Sequence, residues 1–452
     1  MKLKFTSILI SLALIVAATL ASAQNQKSSI DMRVPRSFPH PAQQLRHLAA
    51  KSQEHTNGLD ITTKFFSAGS VNPLPLWTFN IKASRDGEQH LGTIVGHSPF
   101  LKPGTDRVPV NLVPLIIKVH RVATAIDPVT LILTTAPGDV TLDATAPDNT
   151  CLSAPNNIPV VVSRQSPVFA PAHFVFGTAD VGTTQYIDAL QRGSFFQVLG
   201  PNSPYHVLFD PVRTHDAVVI DVPPDSGVAI TDPQFFFADF RFSICAPLLL
   251  VDINWFDAHL QGTVIPALTR EGHSQDAQGE NEGGDSSGGA VPFILSYDTA
   301  WPIGDVTNLN NCCAGGYHGV TGYPIAAQPY GVVDFDRTNF FVGPSTGLDT
   351  IILSHEAGEL VNDPMLQNLV PPWGGTGQVA GCQNNLEVGD PLTGINVPPV
   401  TMPNGFQYNL QELTFFSWFF GAPSVGANGW FSNNGTFLTD AGPICPAHPA
   451  GG

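Results

Sequence analysis

The sequence predicts a β-rich α+β protein. Only 13% of its 452 residues are charged, whereas 42 are glycine and 40 are proline, a composition that favours strands and loops over a helical bundle. Apolar runs of strand length recur along the chain. Two stretches beyond residue 70, at 183–199 and 345–363, have the features of helices instead. The chain is long enough for a large core and more than one subdomain.

The beginning of the chain has the organisation of a secretory signal peptide. A short basic start precedes an apolar run over 8–20, and Ala21, Ser22 and Ala23 form the small-residue pattern that signal peptidase recognises. We therefore expect a secreted protein, extracellular or periplasmic, that is cleaved near Ala23. No later run is long and apolar enough to predict a membrane span in the mature chain.

Further elements follow in order along the chain. Residues 76–96 predict two strands around an Arg-Asp-Gly turn at 85–87. The helix at 183–199 has Thr183 or Thr184 as candidate N-caps. Strands are predicted at 108–122, 158–163, 205–209, 217–222, 240–256 and 291–301. The helix at 345–363 begins at Ser345 or Thr346 and ends at Asp363-Pro364.

Charge and cysteine content limit the partners and the compartment. The formal charge of −17, without a basic stripe, argues against binding to a nucleic-acid backbone. Six cysteines, an even number, are typical of an exported chain with structural disulfides. We expect the adjacent Cys312 and Cys313 to bond to two different partners, because a ring between neighbouring cysteines is strained. Oligomeric state cannot be predicted.

The candidate functional residues lie in the stretch "ILSHEAGELVNDP" at 352–364. His355 and Glu359 are four residues apart, so a helix places both on one face, where they can bind the same metal ion. Glu356 points about 100° around the helix and can act on water as a base. Zinc accepts imidazole nitrogen and carboxylate oxygen ligands. Carboxylates in an otherwise apolar segment are expensive to bury unpaired, which argues against an incidental cluster.

A catalytic metal site needs a third protein ligand, and the sequence offers four candidates. We favour Glu387, in the downstream stretch "NNLEVGDP". Asp390 follows it in the same stretch, and His318 lies upstream in "CCAGGYHGV". Asp363 is on roughly the same helix face as His355 but stands where the helix should end.

The stretch from His355 to Glu359 resembles the active-site helix of zincin metallopeptidases. With the later "EVGDP" at 387–391, it is similar to a group of secreted proteins whose H-E-x-x-E helix ends in Asp-Pro. This resemblance implies a zinc-dependent hydrolase of peptide bonds, acting on a protein or peptide substrate. In it, Glu356 would take a proton from water and return it to the leaving amine. His318, or the adjacent Tyr317, would donate to the oxyanion.

The resemblance also implies a zincin-like architecture, in which a mixed sheet with helices forms an upper subdomain and a loop-rich lower subdomain faces it across a cleft. The predicted segments are a signal peptide at 1–23, a leader at 24–70, a β-hairpin segment at 71–104, the upper subdomain at 105–365 and the lower subdomain at 366–452.

The chain departs from the usual zincin helix because Glu359 replaces the second histidine. If Glu359 and Glu387 both bind the ion, their two negative charges cancel the charge of the metal and weaken its effect on water. Oxygen-rich ligation also makes manganese or calcium an alternative to zinc. A second hypothesis is therefore a non-catalytic exported protein, binding wall or matrix, whose metal site is structural or vestigial.

Overall fold

The computed structural model of the chain describes residues 74–101, 104–147, 157–231, 246–269, 290–322, 327–338, 340, 348–440 and 445. The predicted signal peptide and leader lie outside these residues. Within the described part of the chain, every helix is too short or too polar to cross a membrane.

Strands dominate the described residues. The strands are β1 (Leu76–Lys82), β2 (Gln89–Val95), β3 (Thr105–Ile126), β4 (Leu133–Asp143), β5 (Ala172–Phe176), β6 (Ala179–Thr184), β7 (His206–Thr214), β8 (Val218–Asp221), β9 (Gly227–Ile230), β10 (Leu248–Val251), β11 (Val291–Tyr297), β12 (Thr299–Ala300), β13 (Tyr317–Thr321), β14 (Gln328–Phe335), β15 (Leu348–Asp349), β16 (Leu369–Thr376), β17 (Val379–Asn385), β18 (Val400–Thr401) and β19 (Gln407–Asn409).

Helices are fewer and mostly short. They are α1 (Pro159–Arg164), α2 (Tyr186–Ser194), α3 (Phe196–Leu199), α4 (Ile253–His259), α5 (Ile351–Asn362) and α6 (Phe416–Phe420). Single turns of 3₁₀-helix lie at Pro224–Ser226, Leu309–Asn311, Asp390–Leu392 and Ala427–Gly429, and a π-helical turn at Leu260–Val264 follows α4. The predicted α+β class with a mixed sheet is therefore confirmed at this level.

A ten-stranded mixed sheet organises the fold, with β3 near its centre. The main path of neighbouring strands is β12-β10-β9-β3-β11-β14-β13, and β4, β7 and β8 also pair with β3. Because β3 is 22 residues long, successive parts of it pair with different partners. Its pairing with β11 is parallel, β11 pairs in parallel with β14, and β13 closes this edge antiparallel to β14.

Smaller sheets flank this one. β1 and β2 form the antiparallel hairpin predicted at 76–96, and the turn between them contains Gly87 at a φ of +77°, which glycine adopts without strain. Further hairpins are formed by β5 with β6 and by β16 with β17, and β15, β19 and β18 form a three-stranded sheet. The aromatic residues of α6 are buried in the largest core cluster.

Several local predictions are wrong. Residues 158–163, predicted as a strand, form α1 instead, because Pro159 stands in the first helical turn, where its fixed φ suits a helix. The helix predicted from 183 begins only at Tyr186 and has Gln185 as its N-cap, while Thr184 ends β6 and donates to Asp188 at 2.5 Å.

Two other predicted elements differ in extent from the observed ones. Of the strand predicted at 240–256, residues 240–245 lie outside the described residues, and the described part forms β10 and then α4. Helix α4 begins at Ile253 because the Asp252 carboxylate caps it, accepting from the amide of Asn254 at 3.1 Å. The helix predicted at 345–363 begins at Ile351 with Thr350 as N-cap and has Asp363 as its C-cap, so its end was predicted correctly. Ser345 and Thr346 lie outside the described residues.

The cysteine prediction is also corrected. Cys312 and Cys313 are bonded to each other, not to two different partners, and the other described pair is Cys382 with Cys445. The ring that was expected to be too strained forms across a cis peptide bond between the two residues. It immediately precedes the turn into β13.

Helix α5 is buried on every side. It lies against β13 and β14 of the large sheet and also contacts α2 and β2. Gly316, just before β13, permits the close approach, since a Cβ there would lie 2.5 Å from the carbonyl oxygen of Val332 and 2.7 Å from Cγ2 of Ile352. A helix enclosed in this way should be apolar all round, so its charged residues must be balanced locally.

Candidate metal centre

Six side chains of the types that bind metal ions meet where α5 faces β13 and the loop after β17. They are His355, Glu356 and Glu359 from α5, His318 from β13, and Glu387 and Asp390 from the loop. Each is only 4–7% exposed. The structure thus brings together every residue that the sequence singled out for metal binding or catalysis, except Tyr317 and Asp363.

The ligand atoms form two groups that share Glu359. In one group, single atoms of His318, Glu359 and Glu387 lie within 4.8 Å of one another. In the other, single atoms of His355, Glu356 and Glu359 do so. Glu387 therefore approaches Glu359 together with His318, another of the candidates for the third ligand, while His355 groups with Glu356.

Glu359 is oriented by the backbone of the opposite loop. Its Oε1 accepts hydrogen bonds from the amides of Gly389 at 3.1 Å and Asp390 at 3.2 Å. Its Oε2 is left facing both imidazoles, 3.2 Å from Nε2 of His355 and 3.5 Å from Nδ1 of His318. The carboxylate thus presents one oxygen to the centre while the other is held by the protein.

His355 is oriented from its other ring nitrogen. Its Nδ1 lies 2.9 Å from Oε1 of Gln411, and Nε2 of Gln411 donates to the carbonyl oxygen of Gly389 at 2.6 Å. Because the amide nitrogen of Gln411 is used as a donor, its oxygen must accept, so His355 carries a proton on Nδ1. Nε2 of His355 is thereby directed at the carboxylates, and a bound metal ion would take its lone pair, which is the usual arrangement of a metal-binding histidine.

The two loop carboxylates are held differently. Asp390 accepts from amides on both oxygens, from Gln378 on Oδ1 and from Gln383 on Oδ2 at 2.8 Å, and its Oδ1 lies 3.5 Å from Nε2 of His355. Glu387 accepts from the side-chain amide of Asn385 on Oε1 only. Its Oε2 lies 3.6 Å from Nε2 of His318 and makes no hydrogen bond.

Unpartnered buried atoms show that the centre fits a cation. Nε2 of His318, Oε2 of Glu356 and Oε2 of Glu387 are buried and have no hydrogen-bond partner among the described residues. Burying polar atoms without partners is costly, and the cost is greater for charged groups. Divalent cations bind imidazole and carboxylate groups, so they suit these atoms.

The centre perturbs the acidity of its members. Burial alone would lower the pKa of both histidines, but the facing carboxylates, first Glu387 for His318 and Glu359 for His355, raise each pKa well above its usual value. Burial raises the pKa of Glu356 and of Glu387. Burial would likewise raise the pKa of Glu359, but the attraction of His355 and the bonds to both imidazoles lower it instead.

Two candidate residues lie away from the centre. Tyr317 was considered as a donor beside His318, but successive residues of a strand point to opposite faces. Its ring packs in the core on the far side of β13, 6.3 Å from the ring of Tyr330. Asp363 ends α5, where its Oδ1 accepts from the amides of Gln367 at 2.8 Å and Asn368 at 3.1 Å.

The sequence did not reveal the residues that hold the ligands in place. Gln411, Gln378 and Gln383 have no motif around them, and Gln411 is 56 positions from His355. The sequence shows only that each residue has a side-chain amide, which can donate and accept hydrogen bonds at once.

A surface cavity of about 680 Å³ lies elsewhere in the fold, along β3 and β7. Its lining includes Arg107, Arg164 and His206 but no member of the metal centre. Arg107 is paired with Asp210, so its charge is already balanced. Among the described residues, the cluster of candidate metal ligands lies at α5 and not in this cavity.

Comparisons of the chain with protein-family models, with curated proteins and with solved structures gave no match.

Proposed function

We propose that the chain is an exported, metal-dependent hydrolase of peptide bonds, with zinc as the first candidate metal. The observation that carries the proposal is the convergence of two histidines and four carboxylates in one buried centre that contains three unpartnered ligand atoms. The predicted ligands His355, Glu359 and Glu387 belong to this centre, and His318 joins them. A bound divalent ion would supply Lewis acidity, which polarises a carbonyl group and makes water a stronger acid.

Glu356 is the residue proposed to move the proton. Its Oε2 makes no hydrogen bond, so it is available to accept a proton from water and return it to the leaving amine. Burial raises its pKa, which makes it a stronger base than an exposed glutamate. Nδ1 of His318 lies 3.5 Å from this oxygen and can orient the carboxylate.

The zincin-like architecture is supported by where the ligands come from. The predicted upper segment, 105–365, contributes the residues of β13 and α5. The predicted lower segment, 366–452, contributes Glu387 and the amides that hold Glu359. A centre built from both segments is what the two-subdomain organisation requires, with substrate entering between them.

The test combines peptide hydrolysis with metal analysis of the same purified protein. Glu356→Gln should abolish cleavage of a broad peptide mixture and should still bind at least one metal ion, because other ligands of the centre remain. Glu88→Gln is the matched control, since the same chemical change is made at an exposed residue. Full activity in Glu356→Gln, or a wild-type protein that binds no metal, would contradict the proposal.

The second candidate is a non-catalytic exported protein with a structural metal site. The low exposure of the ligands favours it, because a buried centre leaves little room for a substrate. This candidate predicts stoichiometric calcium without hydrolysis of any peptide. Zinc or manganese bound together with Glu356-dependent cleavage would exclude it.

A further inference from the structure

We propose that this centre binds two divalent cations and that Glu359 bridges them. One ion would be held by His318 and Glu387, the other by His355 and Glu356. The inference rests on the proposed function, since both need a metal at α5, and it extends that function by stating how many ions the centre holds. Contacts among the described residues give the ligands of each ion.

The grouping of the ligand atoms is the first argument. His318 and Glu387 form one set with Glu359, and His355 and Glu356 form another set with the same Glu359. Each set offers three ligand atoms within 4.8 Å of one another, which is the number of protein ligands that a catalytic ion needs. Two complete ligand sets that share one member fit two ion positions better than a single position.

The orientation of Glu359 is the second argument. Two backbone amides fix its Oε1, and its Oε2 is directed at Nε2 of His355 and Nδ1 of His318, at 3.2 and 3.5 Å. An oxygen placed between two imidazoles from different elements is suited to contact two ions. Enzymes with two metal ions commonly hold them about 3.5–4 Å apart, a distance that one carboxylate spans.

Charge is the third argument. The centre contains four buried carboxylates, and no lysine or arginine among the described residues forms an ion pair with any of them. With the carboxylates ionised and both histidines neutral, as metal ligation requires, one divalent ion would balance two of the four negative charges and leave two buried without a counter-charge, which is expensive. Two divalent ions balance all four, with both histidines neutral and acting as ligands.

The ligand count is consistent with this charge balance. Two histidines and three carboxylates, with Glu359 shared, give each ion three protein ligands. Unpartnered atoms occur in both ligand sets, at His318 and Glu387 in one set and at Glu356 in the other. A single ion in either set would leave the other set unsatisfied.

The proton-transfer role proposed for Glu356 is compatible with ligation. A carboxylate has two oxygens, so Glu356 can bind the second ion through one and accept a proton at the other. Both oxygens of Asp390 accept hydrogen bonds from side-chain amides, and its Oδ1 lies 3.5 Å from Nε2 of His355. We assign it to positioning His355 and not to either ligand set.

The experiment measures metal stoichiometry on the full chain. Protein freed of metal by dialysis against a chelator is reloaded with Mn²⁺, desalted and analysed by elemental mass spectrometry and by electron paramagnetic resonance. We expect two Mn²⁺ per wild-type chain, with the spectrum of a magnetically coupled pair. Glu356→Gln and Glu387→Gln should each bind one Mn²⁺ and give the spectrum of an isolated ion, and Glu88→Gln should match the wild type.

Each other outcome overturns a defined part of the reasoning. One Mn²⁺ per wild-type chain overturns the two-ion inference and leaves the proposed function standing. No bound Mn²⁺, and no zinc in a parallel loading, overturns both. Two ions retained in both glutamine variants place the second ion elsewhere and overturn the ligand assignment. The wild-type stoichiometry and spectrum decide the inference even if a variant fails to fold.

Discussion

Replacement of Gly389 with alanine tests whether the loop after β17 holds His355 in place. Gly389 has a φ of −86°, a conformation that alanine adopts readily, so the substitution causes no backbone strain. The substitution therefore acts only through the steric contact of the added methyl group. A Cβ at this position would lie 2.6 Å from Nδ1 of His355 and 2.7 Å from Cε1 and Cγ of the same ring.

The size of the effect follows from these distances. Ordinary contact begins near 3.4 Å, so the imidazole must retreat by about 0.8 Å. Overpacking of this kind costs about 1–3 kcal/mol. The movement also separates Nδ1 from Gln411, and the loss of that 2.9 Å hydrogen bond leaves a buried amide oxygen unsatisfied, at about 1–3 kcal/mol more. We expect the free energy of unfolding to fall by about 2–6 kcal/mol in total.

Metal affinity should fall as well, because Nε2 of His355 moves with the ring. Loss of a residue that orients a ligand typically weakens metal binding by about 10–100-fold, and we expect a loss in this range. Denaturant unfolding of the metal-free protein measures the first effect, and isothermal titration with the metal measures the second.

Gly381 provides the matched control for this substitution. It lies in β17, and a Cβ there meets nothing within 4 Å. Gly381→Ala should therefore leave both stability and metal affinity close to those of the wild type. If Gly389→Ala behaves like the control, the close packing of the loop on His355 is wrong, and so is the reasoning about ligand orientation.

Three further predictions concern other parts of the molecule. Gln411→Leu should weaken metal binding about 10–100-fold in titration calorimetry without removing a ligand; unchanged affinity would show that the amide does not orient the imidazole. The bond to Asp221, then that to Asp139, raises the pKa of His120 above 6.5. The stabilisation from His120 should therefore be complete below pH 6.5 and be lost as pH rises through the raised pKa, so stability curves of His120→Ala and wild type should converge at high pH. Trp418→Ala, at a fully buried residue, should lower the free energy of unfolding by about 3–5 kcal/mol in denaturant titrations, and a loss below 1 kcal/mol would contradict the packing.

Helical periodicity predicted part of the centre correctly. The spacing of His355, Glu356 and Glu359 places them together because the geometry of a helix is local and regular. The ranking of Glu387 depended on the resemblance to zincins, and the structure places it near Glu359. The position of His318 depends on how β13 lies against α5, which no spacing along the chain encodes.

As with the metal centre, only part of the fold could be predicted from the sequence. The hairpin of β1 and β2 and the core of β3 followed from alternating apolar residues and turn chemistry. Residues 158–163 were misassigned because a run of valines has high strand propensity, whereas Pro159 and the buried contacts of Val160 and Val162 favour α1. The pairing of Cys312 with Cys313 depends on local backbone geometry and could not be derived from cysteine spacing.

The length of β3 determines the order in which this protein can assemble. Its partners begin with β4, close in sequence, but also include β11, whose residues Val291 to Leu295 pair with Val110 to Pro114 about 180 positions earlier. Contacts between such distant segments form slowly, because a long loop must close first. A chain emerging from the ribosome therefore cannot complete the sheet until most of it has been synthesised. The site at α5 depends on this sheet and also on the loop after β17, which lies still further along the chain.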